Sequence, residues 1–152
     1  MAMLETRASD PGRLSLRCAL PLGAGVMAAV DEILFHQILQ WHHFFDRATP
    51  FIGILSDGLL HALELLAIVA GTLLLVRLAR QGRLRVRQAL AGILLGAGAF
   101  QLFDGIVSHK VLRIHQIRYD VPLLWYDLTW NGIAVGLLLL GYVLWRNTSR
   151  HQ

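Results

Sequence analysis

Charge and cysteine are what this chain has least of. Charged residues fill 16% of its 152 positions, where a soluble globular domain carries about a quarter, and 55% of the residues are hydrophobic. With a mean hydropathy of +0.53, composition argues against a water-soluble fold. The single cysteine, Cys18, has no partner for an internal disulfide and rules out a thiolate-rich metal site. Any bound metal must therefore be held by His, Asp or Glu. Length is short too: four membrane spans of about 20–25 residues each would use most of the chain and leave little for a soluble domain.

What is present is a set of long apolar runs, from about Ala19 to Phe45, Ile52 to Leu78, Ala89 to Val111 and Val121 to Trp145, each long enough to cross a bilayer as a helix. Polar breaks separate them: Asp46, Arg47 and Pro50; then Arg77, Arg80, Gln81, Gly82, Arg83, Arg85 and Arg87; then Arg118, Asp120 and Pro122. The net charge of +4 and pI of about 10 come almost wholly from Arg flanking these runs. This is a topology signal and gives no reason to expect a nucleic-acid partner. Arg7, Arg13 and Arg17 precede the first run, five Arg sit around the middle break, and Arg146 and Arg150 follow the last. The positive-inside rule then places both termini and the middle loop in the cytoplasm of a bacterial inner-membrane protein, with Lys110, Arg113 and Arg118 on the outer side. The expected organisation is a basic tail over 1–18, a transmembrane domain over 19–146 and a short tail over 147–152. The first run is read as a span and not a cleaved signal, because its apolar character continues past Ala28 and Ala29 and its pattern returns deep inside the chain.

That return is the most informative feature. Gly23-Ala24-Gly25, Asp31, His36 and His42 align without a gap, at one constant offset, onto Gly96-Ala97-Gly98, Asp104, His109 and His115. More weakly, Asp57, His61 and Gly71 align with Asp127, Asn131 and Gly141 at a slightly shorter offset. The expected fold is an all-α, four-helix transmembrane bundle built from two tandem parallel helical-hairpin repeats, about 19–78 and about 89–146. Shared Leu and Ala could arise by chance between two membrane helices, but paired Asp and His, all costly in lipid, are not explained that way.

Straight α-helices at about 100° and 1.5 Å per residue decide which polar side chains can meet. On that geometry His36, Asp57, His109 and Asp127 share one depth, while Asp31, His61, Glu64, Asp104 and Asn131 form a layer about two turns deeper. Asp31 and His42 fall about 16 Å apart and cannot share an ion, and His42, His43, His115 and Gln116 are expected at the outer water interface. Asp57 and His61 converge at i and i+4, as do Glu32 and His36, whose Glu-x3-His spacing is one residue longer than in soluble di-iron bundles. A charged residue near the bilayer centre costs about 2.5–3.5 kcal/mol, so these groups are expected to turn inward and pair, or surround a cation. The candidate metal ligands are His36, His61, His109, Asp31, Asp57, Asp104 and Asp127, a donor set suited to zinc, copper or iron. Three functions use them differently: a membrane metal-binding protein, an ion or proton transporter titrating the same residues, or a haem protein with His36 and His109 as axial ligands. Nothing identifies a catalytic base or a substrate pocket. Trp41, Trp125, Trp145, Tyr119, Tyr126 and Tyr142 read as interfacial aromatics, with Trp130 lying deeper beside the cluster.

The string Asp31 to His43 (DEILFHQILQWHH), the Ser56–His61 segment, Phe103-Asp104-Gly105 through His109, and Tyr126-Asp127 with Trp130-Asn131 resemble the signature of the DUF2243 family, a domain of unknown function in bacterial four-helix integral membrane proteins. The resemblance covers almost all of the chain beyond the N-terminal tail. It implies an integral membrane protein, copper or haem biology and a link to respiratory-complex assembly, without supplying an activity; the partners expected are the lipid bilayer and either such assembly proteins or further copies of the chain in a homo-oligomer.

Overall fold

In the computed structural model, which describes residues 10–149, the chain is helical with no strand among the described residues. Helix α1 spans Pro11–Asp31, α2 Pro50–Arg80, α3 Val86–Phe103 and α4 Leu123–Ser149. Two π-helical segments, Glu32–Ile38 and Asp104–Val111, continue α1 and α3. With these extensions all four helices are long and apolar enough to cross a membrane, and large side chains such as Ile54, Leu66, Leu124 and Val143 remain on the outside of the bundle, as lipid contact requires. Of the expected tails, 1–9 and 150–152 lie outside the described residues. The first helix starts at Pro11, well before the expected Ala19, because the Asp10 side chain caps it by accepting from the Gly12 amide at 2.9 Å and Pro11 presets the first turn.

Helices α1 and α3 form the centre, α2 packs on α1, and α4 packs on α3. The apolar surface of the central pair is small: Ala19, Gly23, Gly25 and Ala28 on α1, and Ala91, Gly92, Gly96, Ala97 and Gly98 on α3, are buried. These residues let the two backbones touch. A Cβ added to Gly23 would lie 2.0 Å from the Ile93 carbonyl oxygen, and one on Gly96 would lie 2.2 Å from the Leu20 oxygen, so the crossing admits nothing larger than hydrogen. The contacts come in pairs at the spacings found in the sequence. Gly25 abuts the Glu64 oxygen as Gly98 abuts that of Ala134, and Gly71 meets Leu22 as Gly141 meets Leu95.

At the Arg-rich end, the buried Ser15 hydroxyl donates to the Pro11 carbonyl at 2.8 Å and accepts from the Arg85 amide at 2.9 Å, tying the segment that enters α3 to the first turn of α1. Ser15→Ala should therefore lower stability by about 1–2 kcal/mol, read as a lower midpoint of thermal unfolding in detergent.

Candidate metal centre

The polar cluster lies at the end of the bundle away from the start of α1, the end of α4 and the Arg-rich turn, and the π-helical segments shape it. In an α-helix, residues five apart point about 140° away from each other. A π-helix bonds i to i+5 and brings them onto one face. The Asp-x4-His spacing thereby becomes a contact. Asp31 Oδ2 is 3.9 Å from His36 Nε2, and Asp104 Oδ2 is 3.2 Å from His109 Nε2. The two layers expected from straight α-helices are thus merged at Asp31 and Asp104.

The helices then stop. Leu39 N–H donates to the Leu34 carbonyl and Trp41 N–H to that of Phe35, and at the matching positions of the second half Leu112 and Ile114 donate to Val107 and Ser108. Gln40 and Arg113 take positive φ values of 50° and 53°, which reverses the chain and sends the next segment back over the bundle. His42 and His115 ride inward on these turns. Their expected place at the outer water interface is corrected: they are 5% and 1% exposed. The gap of about 16 Å that a straight helix would put between Asp31 and His42 is corrected too, since ligand atoms of Asp31, His36 and His42 all lie within 4.8 Å of one another. Both expectations assumed one straight helix through Phe45.

His42 Nδ1 donates to the Ile117 carbonyl at 3.0 Å, and His115 Nδ1 donates to that of Phe44 at 2.8 Å. Each turn thus holds the histidine of the other. These bonds fix the tautomer and leave both Nε2 atoms with a lone pair facing the interior, where neither has a hydrogen-bond partner. The two rings stack at 4.7 Å with 7° between their planes. His36 lies edge-on to His42 at 4.4 Å, and His109 edge-on to His115 at 4.7 Å. Asp104 Oδ1 approaches His115 Nε2 to 3.4 Å while its other oxygen faces His109. Ligand atoms of His42, His109 and His115 fall within 4.8 Å of one another. Atoms sharing one tetrahedral ion at about 2.0–2.1 Å would lie about 3.3–3.4 Å apart, and each Asp104 oxygen stands at about that distance from one histidine, Oδ2 from His109 and Oδ1 from His115.

Burial, with His36, His115 and His109 adding to it, pushes the His42 imidazole down to about 2 from its ordinary 6.5, so it is the neutral form that a metal requires. The sign follows from linkage. An unfolded chain takes up a proton at His42 below about pH 6.5 whereas the folded one does not, so acid favours unfolding through this group. The midpoint of thermal unfolding, measured with chelator present, should fall between about pH 7 and about pH 5, and His42→Gln should make that fall shallower.

The structure gathers His36, His109, Asp31, Asp57 and Asp104 from the expected ligands and sets two apart. His61, with a half-exposed side chain, pairs with the buried Glu64 at 2.5 Å. Asp127 accepts from the Lys110 ammonium at 2.6 Å. The histidines that sequence reasoning discounted, His42 and His115, were already marked by their identical spacing from Asp31 and Asp104. Phe35 packs edge-on against Trp130 at 5.5 Å, and the Arg118 guanidinium lies 4.7 Å over Trp41 while bonding Tyr126. This wall separates the histidines from an apolar groove of about 500 Å³ that reaches from α1 to α4. His36 and His109 both border the stacked His42 and His115 rings.

A family profile described as "Predicted membrane protein (DUF2243)" matches residues 18–148. The chain belongs to this family. The match takes in the central glycine crossing, both π-helical segments and every histidine of the cluster. No curated protein and no solved structure matches the chain.

Proposed function

We propose that this protein binds a transition metal in the outer half of its transmembrane bundle, at a centre formed by His42, His109, His115 and Asp104, with Asp31 and His36 at its edge. One observation carries the reading: His42 and His115 spend their N–H groups on backbone carbonyls of the opposite turn and aim Nε2 lone pairs that lack a hydrogen-bond donor into the same buried interior. Imidazoles oriented by a second hydrogen bond in this way are the usual form of protein metal ligands. Three imidazoles and a carboxylate suit zinc, iron or copper.

The paired contacts support a duplicated hairpin with its two halves related by rotation about an axis along the membrane normal, which passes near the stacked His42 and His115 rings. The Arg distribution supports cytoplasmic termini in a bacterial inner membrane, which puts the centre toward the outer side. The role is metal handling, which fits assembly of a respiratory complex. A resident site is favoured over a transport path because, beyond the cluster, α1 and α3 meet backbone to backbone at Gly23 and Gly96.

Elemental analysis of detergent-purified protein tests this directly. The parent should carry stoichiometric zinc, iron or copper, and His42→Ala/His115→Ala should lose the ion at this centre while keeping its helical circular dichroism. A parent free of metal, and unable to take up Zn2+, Fe2+ or Cu+ after stripping, would refute the reading.

A further inference from the structure

We propose that the first half of the bundle holds a second divalent transition-metal ion, on Glu32, His36 and Asp57, separate from the centre at His42, His109 and His115. Ligand atoms of the three residues lie within 4.8 Å of one another, and all three are buried. Two carboxylates converge on one nitrogen: Glu32 Oε2 is 2.7 Å from His36 Nδ1, and Asp57 Oδ1 is 3.1 Å from it. An imidazole nitrogen has one position in the ring plane for a proton or a lone pair, so as a donor it serves one of these oxygens. The hydrogen bond runs to Asp57, and Glu32 Oε2, on a residue 1% exposed, has no hydrogen-bond partner. A cation satisfies all three atoms at once. Metal bonds of about 2.0–2.2 Å give ligand separations of about 3 Å at right angles, in line with those observed.

The surroundings orient the set as a second coordination shell does. Gln37 Nε2 donates to Glu32 Oε1 at 2.8 Å and turns Oε2 toward His36. Asp57 accepts from the Phe44 amide at 2.7 Å and from His43 Nδ1 at 2.6 Å. His43, about one-third exposed, links the site to the outer surface. His36 Nε2 faces the other way, toward Asp31 and the first centre, so one imidazole presents a nitrogen to each.

Charge makes the case independently. Asp31, Glu32, Asp57 and Glu64 are all buried in the first half, and the ion pairs found for them are with histidines. In the second half the counterparts are fewer, with Gly105 at the place of Glu32 and Ala134 at that of Glu64. The counterpart of Asp57 there, Asp127, is neutralised by Lys110, which occupies the place that the uncharged Gln37 has in the first half. A tethered ammonium thus serves in one half where the other has a cluster of anionic ligands and imidazoles. Two carboxylates with one or two imidazoles suit Zn2+, Fe2+ or Mn2+.

The test titrates chelator-stripped, full-length protein in detergent with Zn2+ alone and counts bound ions by elemental analysis after desalting, with circular dichroism as the fold control. The parent should hold two ions per chain, Glu32→Gln one, and His42→Ala/His115→Ala one. Gln37→Lys, which supplies the ammonium that the second half already has, should also hold one, and it decides the matter if Glu32→Gln does not fold. An unchanged count in Glu32→Gln and Gln37→Lys overturns the second site, and so does loss of both ions from a folded variant of either. A parent with one ion, removed only by His42→Ala/His115→Ala, overturns the second site and leaves the first standing. A parent with none overturns both.

Discussion

Replacing Gly23 or Gly96 by alanine is expected to leave little folded protein. Each added methyl would sit 2.0 or 2.2 Å from a backbone carbonyl oxygen of the partner helix, and backbone cannot rotate aside as a side chain can. The central helices would have to separate along their whole contact, opening gaps around Ala19, Ala28, Ala91 and Ala97. The loss should exceed about 3 kcal/mol, the range reserved for overpacking that cannot relax. Controls lie on the lipid-facing helices. A methyl on Gly58, Gly132 or Gly136 would meet nothing within 4 Å, and alanine there should be neutral or stabilise by up to about 1 kcal/mol through helix propensity. Yield of monodisperse protein and the thermal midpoint would report both effects. Equal behaviour of Gly23→Ala and Gly132→Ala would mean that the crossing is not close-packed in the membrane.

Asp104→Asn should separate a ligand from a structural carboxylate, because the two roles predict opposite changes in stability. Asp104 faces Nε2 of His115 at 3.4 Å, and that nitrogen carries a lone pair because Nδ1 holds the proton for Phe44. A carboxylate opposite a lone pair is unfavourable until a cation joins them. Asparagine keeps the size and offers an amide N–H to the same nitrogen. The variant should therefore bind Zn2+ more weakly by at least about 100-fold, while its thermal midpoint in the presence of chelator equals or exceeds that of the parent, as is common when a functional site is relieved of buried charge. If Asp104 were a structural acceptor, the same change would lower the chelated midpoint and leave Zn2+ binding intact. Titration with a competing chelator and a melting curve distinguish the two.

The cluster was only partly legible in the sequence. Asp31, His36, Asp104 and His109 announce themselves because ionisable groups inside apolar runs are costly unless they are used, and their common spacing says that the two halves use them alike. His61 and Asp127 satisfy the same reasoning and yet stand apart. Periodicity places a residue at a depth but does not say which neighbour reaches it first, and Glu64 and Lys110 do so here. Trp130 was expected deeper than the interfacial aromatics, and it is buried against Phe35.

Composition and apolar run length alone determined that this chain is a membrane protein of four helices, since lipid leaves a backbone few ways to satisfy its hydrogen bonds. The Asp-x4-His-x5-His spacing, met twice, likewise marked one end of the bundle as the place of interest. Only the tertiary structure decided that α1 and α3 change to π geometry at Glu32 and Asp104 and end at Ile38 and Val111, which carries His42 and His115 from the expected surface into the interior. Hydrophobic period cannot report a change of helical type a few residues long. The bonds that hold those turns, His42 to Ile117 and His115 to Phe44, join segments far apart in the chain, and they exist only once the two halves are packed together.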